Sequence, residues 1–236
     1  MTDSRGNFIP GLLVAIGLAV AGYLIGQGFV HARVLDRSVE VKGLAEREVP
    51  ADTAIWPVQI VAAGDDLQAL LVQIEGQSGR VVGFLADLGF TPGEVSVGAP
   101  NVLDRQAQNF GDPNTRFRYS VAQTITVFTE AVATVREAGG RLLELGKEGI
   151  VVTQNNYDLR TQYLFNGLND IKPEMIEEAT RNARRVAEKF AGDSDSVLGK
   201  IRSARQGQFS IQDRDSNNPH IKRVRVVSTL EYYLVD

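Results

Sequence analysis

The chain has 236 residues, 43% of them hydrophobic, and carries 25 Lys and Arg against 29 Asp and Glu, a formal charge of −4. That balance excludes a phosphate-binding surface, which needs clustered cations, so no nucleic acid is expected as a partner. With no cysteine, thiol catalysis, a disulfide framework and the common cysteine zinc sites are excluded as well.

After a short tail, residues 1–7, the stretch Phe8 to Val30 (FIPGLLVAIGLAVAGYLIGQGFV) carries no charge. Its 23 residues would span roughly 35 Å as a helix at 1.5 Å per residue, against a hydrocarbon core of about 30 Å. Pro10 falls in the first turn, where a missing N–H does least harm, and Tyr23 and Gln27 lie where polar tips reach the interface. The segment therefore reads as a single transmembrane signal anchor, with the lipid bilayer as partner through residues 8–30. A cleavable signal peptide is the competitor, because Ala19-Val20-Ala21 resembles a small-residue cleavage site. Cleavage there would leave the apolar tail GYLIGQGFV, which favours retention. Gly22-x-x-x-Gly26 offers small residues through which two such helices could approach, so Gly22 and Gly26 are the self-association candidates and a second copy of the chain a candidate partner. Arg5 precedes the segment while His31, Arg33 and Arg37 follow it. Charge alone leaves the orientation open and leans slightly against export.

Residues 31–37 form a polar juxtamembrane linker, and residues 38–236 read as one α+β domain. Removing residues 1–30 takes away one Arg and one Asp, so the net charge stays at −4. Alternation over Ser38 to Val49 places Val39, Val41, Gly43 and Ala45 on one face of a half-exposed strand. A turn at Pro50-Ala51-Asp52 leads into a second strand, Thr53 to Ala63, where Pro57 marks an edge or a bulge. Asp65 and Asp66 stand at the N-cap of an amphipathic helix that runs from Leu67 to Leu88 and is closed by Gly89. Strands are expected over Glu94 to Leu103 and Phe117 to Thr129, joined by a polar loop at 104–116. A helix follows over Glu130 to Leu145, weakened by Gly139-Gly140, then a strand over Ile150 to Leu164 with a bulge near Asn155-Asn156.

Pro173 to Ala191 is the clearest helix of this domain, with Ile176, Ala179, Ala183, Val186, Ala187 and Phe190 on one face. Glu177–Arg181 and Arg184–Glu188 pair along the other. Strands around Lys200 to Ile211 and Ile221 to Val235 finish the chain, the last placing Val224, Val226, Ser228, Leu230, Tyr232 and Leu234 on one face. Adjacent strands without regular βαβ alternation predict a mostly antiparallel sheet with helices packed on it, preceded by the single N-terminal transmembrane helix.

Candidate chemistry is sparse. His220 near Asp213, Asp215 and Ser210 can be drawn as a hydrolase triad, but no nucleophile-elbow sequence supports it and a solvated loop histidine is favoured. Asp193-Ser194-Asp195 resembles the start of a calcium loop without its glycine and distal glutamate, and reads as a helix-ending turn. Gly26-Gln27-Gly28 and Gly207-Gln208-Phe209 sit in the apolar helix and on a strand, not in phosphate loops. Arg181, Arg184 and Arg185, interleaved with glutamates, read as a solvated face. Trp56, Tyr157, Tyr163, Phe165, Tyr232 and Tyr233 could line a ligand pocket, although core and cross-strand roles are commoner. No catalytic, cofactor-binding or metal residue is assigned, and no cofactor is expected.

Two stretches resemble one family. VKGLAEREVPADTA (Val41 to Ala54) is similar to the V-x-G…P-D opening of the SIMPL domain family, with Pro50-Ala51-Asp52 where many members have Pro-Asp directly. ATRNARRVAEKFA (Ala179 to Ala191), followed by Leu198-Gly199, resembles that family's Ala-rich helix leading to L-G, and LADLGF (Leu85 to Phe90) fits between them. The resemblance covers about residues 38–236. It implies an exported, mostly periplasmic bacterial α+β domain, often behind a signal peptide or a single anchor, with loose associations to stress tolerance and the cell envelope. It implies no catalytic activity and no site residues. The exported location would place the anchor in the inner membrane with the C-terminal domain in the periplasm.

The expected function is that of a membrane-anchored, non-enzymatic envelope domain acting through self-assembly or an unidentified protein partner, for which the loops 104–116 and 206–220 are the contact candidates. The alternative is a periplasmic small-molecule-binding protein or an envelope enzyme, released if the signal segment is cleaved.

Overall fold

The computed structural model describes residues 8–34, 37–107, 116–153 and 159–235, with the side chains of the first helix described over 11–27. Fourteen elements follow in order: α1 (Phe8–Val34), β1 (Ser38–Pro50), β2 (Thr53–Gly64), α2 (Leu67–Asp87), β3 (Val95–Val97), β4 (Asn101–Asp104), β5 (Tyr119–Thr129), α3 (Val132–Lys147), β6 (Val152–Thr153), β7 (Gln162–Leu164), α4 (Leu168–Asp193), β8 (Val197–Gln206), β9 (Ser210–Asp213) and β10 (Ile221–Val235). They divide into two compact units. The first comprises residues 1–46, 172–210 and 225–236, the second 47–171 and 211–224. The α+β class with antiparallel pairing is as the sequence predicts.

In the second unit β2 is the centre of a sheet ordered β3-β5-β2-β6, with β4 also on β5 and β7 also on β2. β2 and β5 pair antiparallel from Ala54↔Thr129 to Gly64↔Tyr119. Their inward residues, Trp56, Val58, Ile60, Val121, Ile125 and Val127, are buried against Leu70, Ile74, Val81 and Leu85 of α2 and Val135, Ala138 and Leu145 of α3. α2 starts where Asp66 accepts hydrogen bonds from the Gln68 and Ala69 N–H groups at 2.9 and 3.1 Å, an N-cap that satisfies otherwise orphaned donors. It stops at Leu88, and Gly89 takes a positive φ of 96°.

Pro57 corrects one expectation. It lies on a central strand, not an outer edge; among the described residues β7 pairs with β2 as far as Ile55 and β6 from Gln59. The Val61 N–H donates toward β6, and strand N–H groups alternate in direction, so Pro57 turns its missing donor toward the side of β2 that carries β6 and β7. Three further differences concern extent. The strand expected over Glu94 to Leu103 is two short strands, β3 and β4, broken at Gly98-Ala99-Pro100. Of the one expected over Ile150 to Leu164, the described residues form strand only in β6 and β7, and the bulge expected at Asn155-Asn156 lies outside the described residues, as does Tyr157. β8 ends at Gln206, and β9 is separate.

In the first unit β10 is the middle strand of the order β1-β10-β8. The predicted faces hold. Val41 and Ala45 of β1 are buried, as are Val226, Ser228, Leu230 and Tyr232 of β10. β10 pairs antiparallel with β8, from Ser228↔Gln206 to Val235↔Val197. α4 lays Ala183 and Ala187 on Val41, Leu230 and Tyr232. The helix begins five residues before the expected Pro173, at Leu168, and holds that proline inside. A proline there forfeits the bond to the residue four earlier. The expected pairs are present, Arg181–Glu177 at 2.8 Å and Arg184–Glu188 at 3.0 Å.

α1 is a 27-residue helix. Its described side chains are exposed all round, Leu13 at 65% and Ile25 at 67% among them, and Gln27 donates to the Tyr23 hydroxyl at 3.0 Å. Residues 11–27 amount to roughly 26 Å of helix, and among the described residues no helix is long and apolar enough to cross a membrane.

Candidate functional site

One cleft belongs to the second unit. It encloses about 810 Å³ and is lined by Leu159, Arg160, Thr161, Tyr163, Asp213, Asp215, Ser216 and Pro219. The polar turn between β9 and β10 forms one wall. It is held by the Asp215 carboxylate, which accepts from the Asn217 and Asn218 N–H groups at 2.9 Å each and from the Arg214 Nε at 2.8 Å. β7 forms the other wall, and there the Tyr163 ring meets His220 edge-on with centroids 6.1 Å apart.

The triad drawn from the sequence does not assemble here. Asp213 is engaged by the ammonium of Lys222, which is itself buried, and a buried cation requires such a partner. Asp215 is spent on its own turn, and the Arg214 and Asn218 side chains bring its carboxyl down to about 2. Burial, with Arg136 and Arg214 nearby, holds His220 below its ordinary 6.5 despite the opposing charge of Asp215, so the imidazole is neutral at pH 7. Every described carboxylate that departs clearly from its usual range departs downward: Asp52, Glu94, Asp104, Glu144, Asp215 and Glu231. A general acid working near neutrality needs the opposite shift.

The remaining candidates disperse. Trp56 is a core residue tilted against Phe90 at 6.2 Å, Tyr232 is buried in the first unit, and Tyr233 lies on the outer side of the same strand. The aromatic residues therefore do not converge on one pocket. Ser194 donates to the Phe190 carbonyl at 2.9 Å and the Asp195 N–H to the Gly192 carbonyl at 3.3 Å, which makes residues 193–195 a helix-ending turn. Among the described residues no cluster of three or more His, Asp or Glu could hold a metal ion. Of the loop 104–116, residues 108–115 lie outside the described residues, and its base is closed by Asp104–Arg118 at 2.9 Å. Lys222, Arg160 and Thr161 were not anticipated as lining or supporting groups. For Lys222 a signal existed, since it shares the parity of Val224 and Val226.

Two other constellations explain the short motifs. Asp52 accepts from the Asn166 N–H at 2.6 Å, the Gly167 N–H at 3.0 Å, the Asn166 side-chain amide at 3.0 Å and the Thr53 hydroxyl at 2.9 Å. Burial works against its ionisation, but these bonds outweigh it and hold the carboxyl below its ordinary range. The turn between β1 and β2 thereby clasps the segment leading into α4. Gly43 of β1 lies directly under α4. A Cβ there would stand 2.8 Å from the Ala183 Cβ and closer still to the Ala179 carbonyl oxygen and the Ala183 nitrogen. The Asn182 amide donates to the Leu44 carbonyl at 2.8 Å beside this contact.

Fold and motif contacts together define an α+β domain whose signature residues serve packing and turn closure. The chain belongs to the SIMPL family, described as a protein of unknown function (DUF541), which it matches over residues 39–228. No curated protein matches the sequence.

Proposed function

We propose that the chain is a membrane-anchored domain of the cell envelope, single-pass, with α1 in the inner membrane and the α+β part in the periplasm, acting by binding protein partners or further copies of itself and not by turnover. The observation that carries this reading is the outward display of apolar side chains on every side of α1. A helix apolar all round requires burial in lipid or protein. The described side chains stop short of a full crossing, but the uncharged sequence continues at both ends, from Phe8 to Val30, which brings it to the roughly 20 apolar residues that a spanning helix needs. A Cβ added at Gly22 or Gly26 would meet nothing within 4 Å, so that face is open to a second helix. Motif residues devoted to packing, and carboxylates stabilised as anions, support binding over catalysis.

Fractionation of the full chain tests the anchor. Retention in the membrane pellet through a carbonate wash, with an intact N-terminus, is expected. A mature N-terminus at Gly22, or release by carbonate, overturns it. Self-association is tested by Gly22→Ile with Gly26→Ile in detergent, where loss of the oligomer is expected. The cleft beside His220 favours a second reading, a ligand-binding or catalytic envelope protein. A turnover abolished by His220→Ala and Asp213→Ala would put that reading in place of the first.

A further inference from the structure

Several chain segments converge on one end of the first unit. The Leu234 N–H donates to the Arg37 carbonyl at 2.8 Å, so the end of β10 meets the start of β1. Val235 pairs with Val197, which places the start of β8 beside it. The Arg37 guanidinium donates to the Ser196 hydroxyl at 3.2 Å, and the Ser196 N–H to the Ala191 carbonyl at 2.9 Å, which brings in the last turn of α4. This end displays four large apolar side chains to solvent: Phe190 at 55%, Val197 at 61%, Tyr233 at 36% and Val235 at 47%. Scattered apolar residues need no explanation, whereas several gathered at one end of a domain mark a contact surface.

The same end is tethered to α1. Val34 is the last helical residue and Arg37 is already part of the folded end, so three peptide steps separate them, a reach of at most about 11 Å. From residue 30 to residue 34 the helix adds about 6 Å. Arg37 thus lies no more than roughly 17 Å from the hydrocarbon boundary, on the side where α1 leaves a headgroup layer about 5–8 Å deep.

We infer that the end of the first unit carrying Phe190, Val197, Tyr233 and Val235 rests on the bilayer surface, with these side chains in the interfacial layer beside the point where α1 emerges. This rests on the anchored reading of α1. The Arg202 guanidinium lies over the Tyr233 ring, 5.6 Å from its centroid, a pairing of aromatic face and cation suited to the interface, where such groups keep their polar tips wet. Lys189 and Arg37 are offset at this end by Asp193 and Asp195, and Arg202 is offset by Glu231 at 3.2 Å. The surface therefore recognises the apolar interfacial zone and not anionic headgroups, and its contact with membrane is insensitive to salt. A protein partner is the competing occupant. The tether favours lipid, because it fixes this end within reach of the bilayer.

The absence of cysteine makes the test direct. Phe190→Cys and Val197→Cys, each labelled with an environment-sensitive fluorophore, are compared in the full chain with Leu44→Cys, further along β1 in the same unit, where the native side chain is 42% exposed. The proteins are reconstituted into phosphatidylcholine vesicles with and without brominated acyl chains, and membrane retention is checked by carbonate wash. Blue-shifted emission, with at least twofold quenching by brominated lipid, is expected at 190 and 197 and not at 44. Water-like emission at 190 and 197 in carbonate-resistant protein overturns the inference and leaves the anchor standing. Shielding without bromine quenching assigns the surface to protein and also overturns it. Release by carbonate overturns both readings.

Discussion

Gly43 and Ala183 meet with no room for another carbon between them, since a Cβ on Gly43 would stand 2.8 Å from that of Ala183. The strand glycine and the helix alanines of the SIMPL resemblance, about 140 positions apart in sequence, are two sides of one contact. Small residues on both elements let the backbone of α4 descend onto β1, and overpacking such a site is destabilising because backbone cannot move aside cheaply. Gly43→Ala is expected to cost about 3 kcal/mol, a fall in melting temperature of roughly 6–12 °C for a domain of this size. A thermal melt unchanged within 2 °C, by that same conversion, would count against the contact.

Asp52 is expected to be a stability residue. Asp52→Ala removes the acceptor of the Asn166 and Gly167 N–H groups and should cost about 2 kcal/mol, as for other hydrogen bonds to charged groups. Asp52→Asn retains part of the acceptor capacity and should cost less. Urea unfolding curves of the two variants give the comparison, and equal loss would show that charge, not geometry, dominates.

The pH dependence of Asp52 and Asp215 has a definite sign. Their carboxyls titrate lower in the folded chain than the ordinary 3.8, Asp215 at about 2. The folded state therefore binds fewer protons than the unfolded one in that window, and the stabilisation, complete above it, is lost as pH falls through it. Carbon-13 titration of the aspartate carboxyls should place Asp215 near 2, and a midpoint at 3.8 or above would refute the role of Arg214 and Asn218.

His220 acts in the same direction at higher pH. Its folded value lies below the ordinary 6.5, so between the two the unfolded chain takes up the extra proton and acidification favours unfolding. The contribution is present above pH 6.5 and declines below it, down to the lowered folded value. His220→Phe should flatten that part of the stability profile while leaving the step due to the aspartates. An unchanged slope between pH 6.5 and 5 would mean that the imidazole is not the group responsible.

Lys222 and Asp213 should respond unequally to substitution. Asp213→Ala leaves a buried ammonium without its partner, whereas Lys222→Met removes the charge and keeps much of the volume. With half of the Asp213 side chain in water, the difference is expected to be about 1–2 kcal/mol, less than for a fully buried pair. Denaturation midpoints of the two variants would decide it, and a larger loss for Lys222→Met would reverse the assignment.

Local pattern carried much of the fold. The alternation in β1 and β10, the Asp66 cap and the Gly89 stop of α2, and the alanine face of α4 each follow from residues adjacent in sequence, and each is found where the pattern places it. What pattern could not supply was pairing. Apolar alternation identifies a strand without naming its neighbours, so Pro57 read as an edge or a bulge when its strand is central in the sheet, and the stretch Ile150 to Leu164 read as continuous. Pro173 read as a first-turn proline because that is its cheapest helical position. The wall of the cleft at Asp213 and Asp215 was visible as a polar cluster and Tyr163 as a candidate pocket residue, but Arg160 and Thr161 come from another part of the chain than the two aspartates and carry no local mark. Lys222 was legible in principle, as a charged residue in register with valines.

The place of β10 in its sheet has a consequence for how this chain is made. The strand that lies between β1 and β8 is the last of the three to leave the ribosome. Until residue 235 has emerged, the two outer strands have nothing to pair with, and α4 has only half a surface to cover. The first unit cannot mature in the order of its synthesis. Loss of a few residues from the far end of β10 would then act as a defect of biogenesis, felt at the opposite end of the sequence, where Arg37 waits for Leu234.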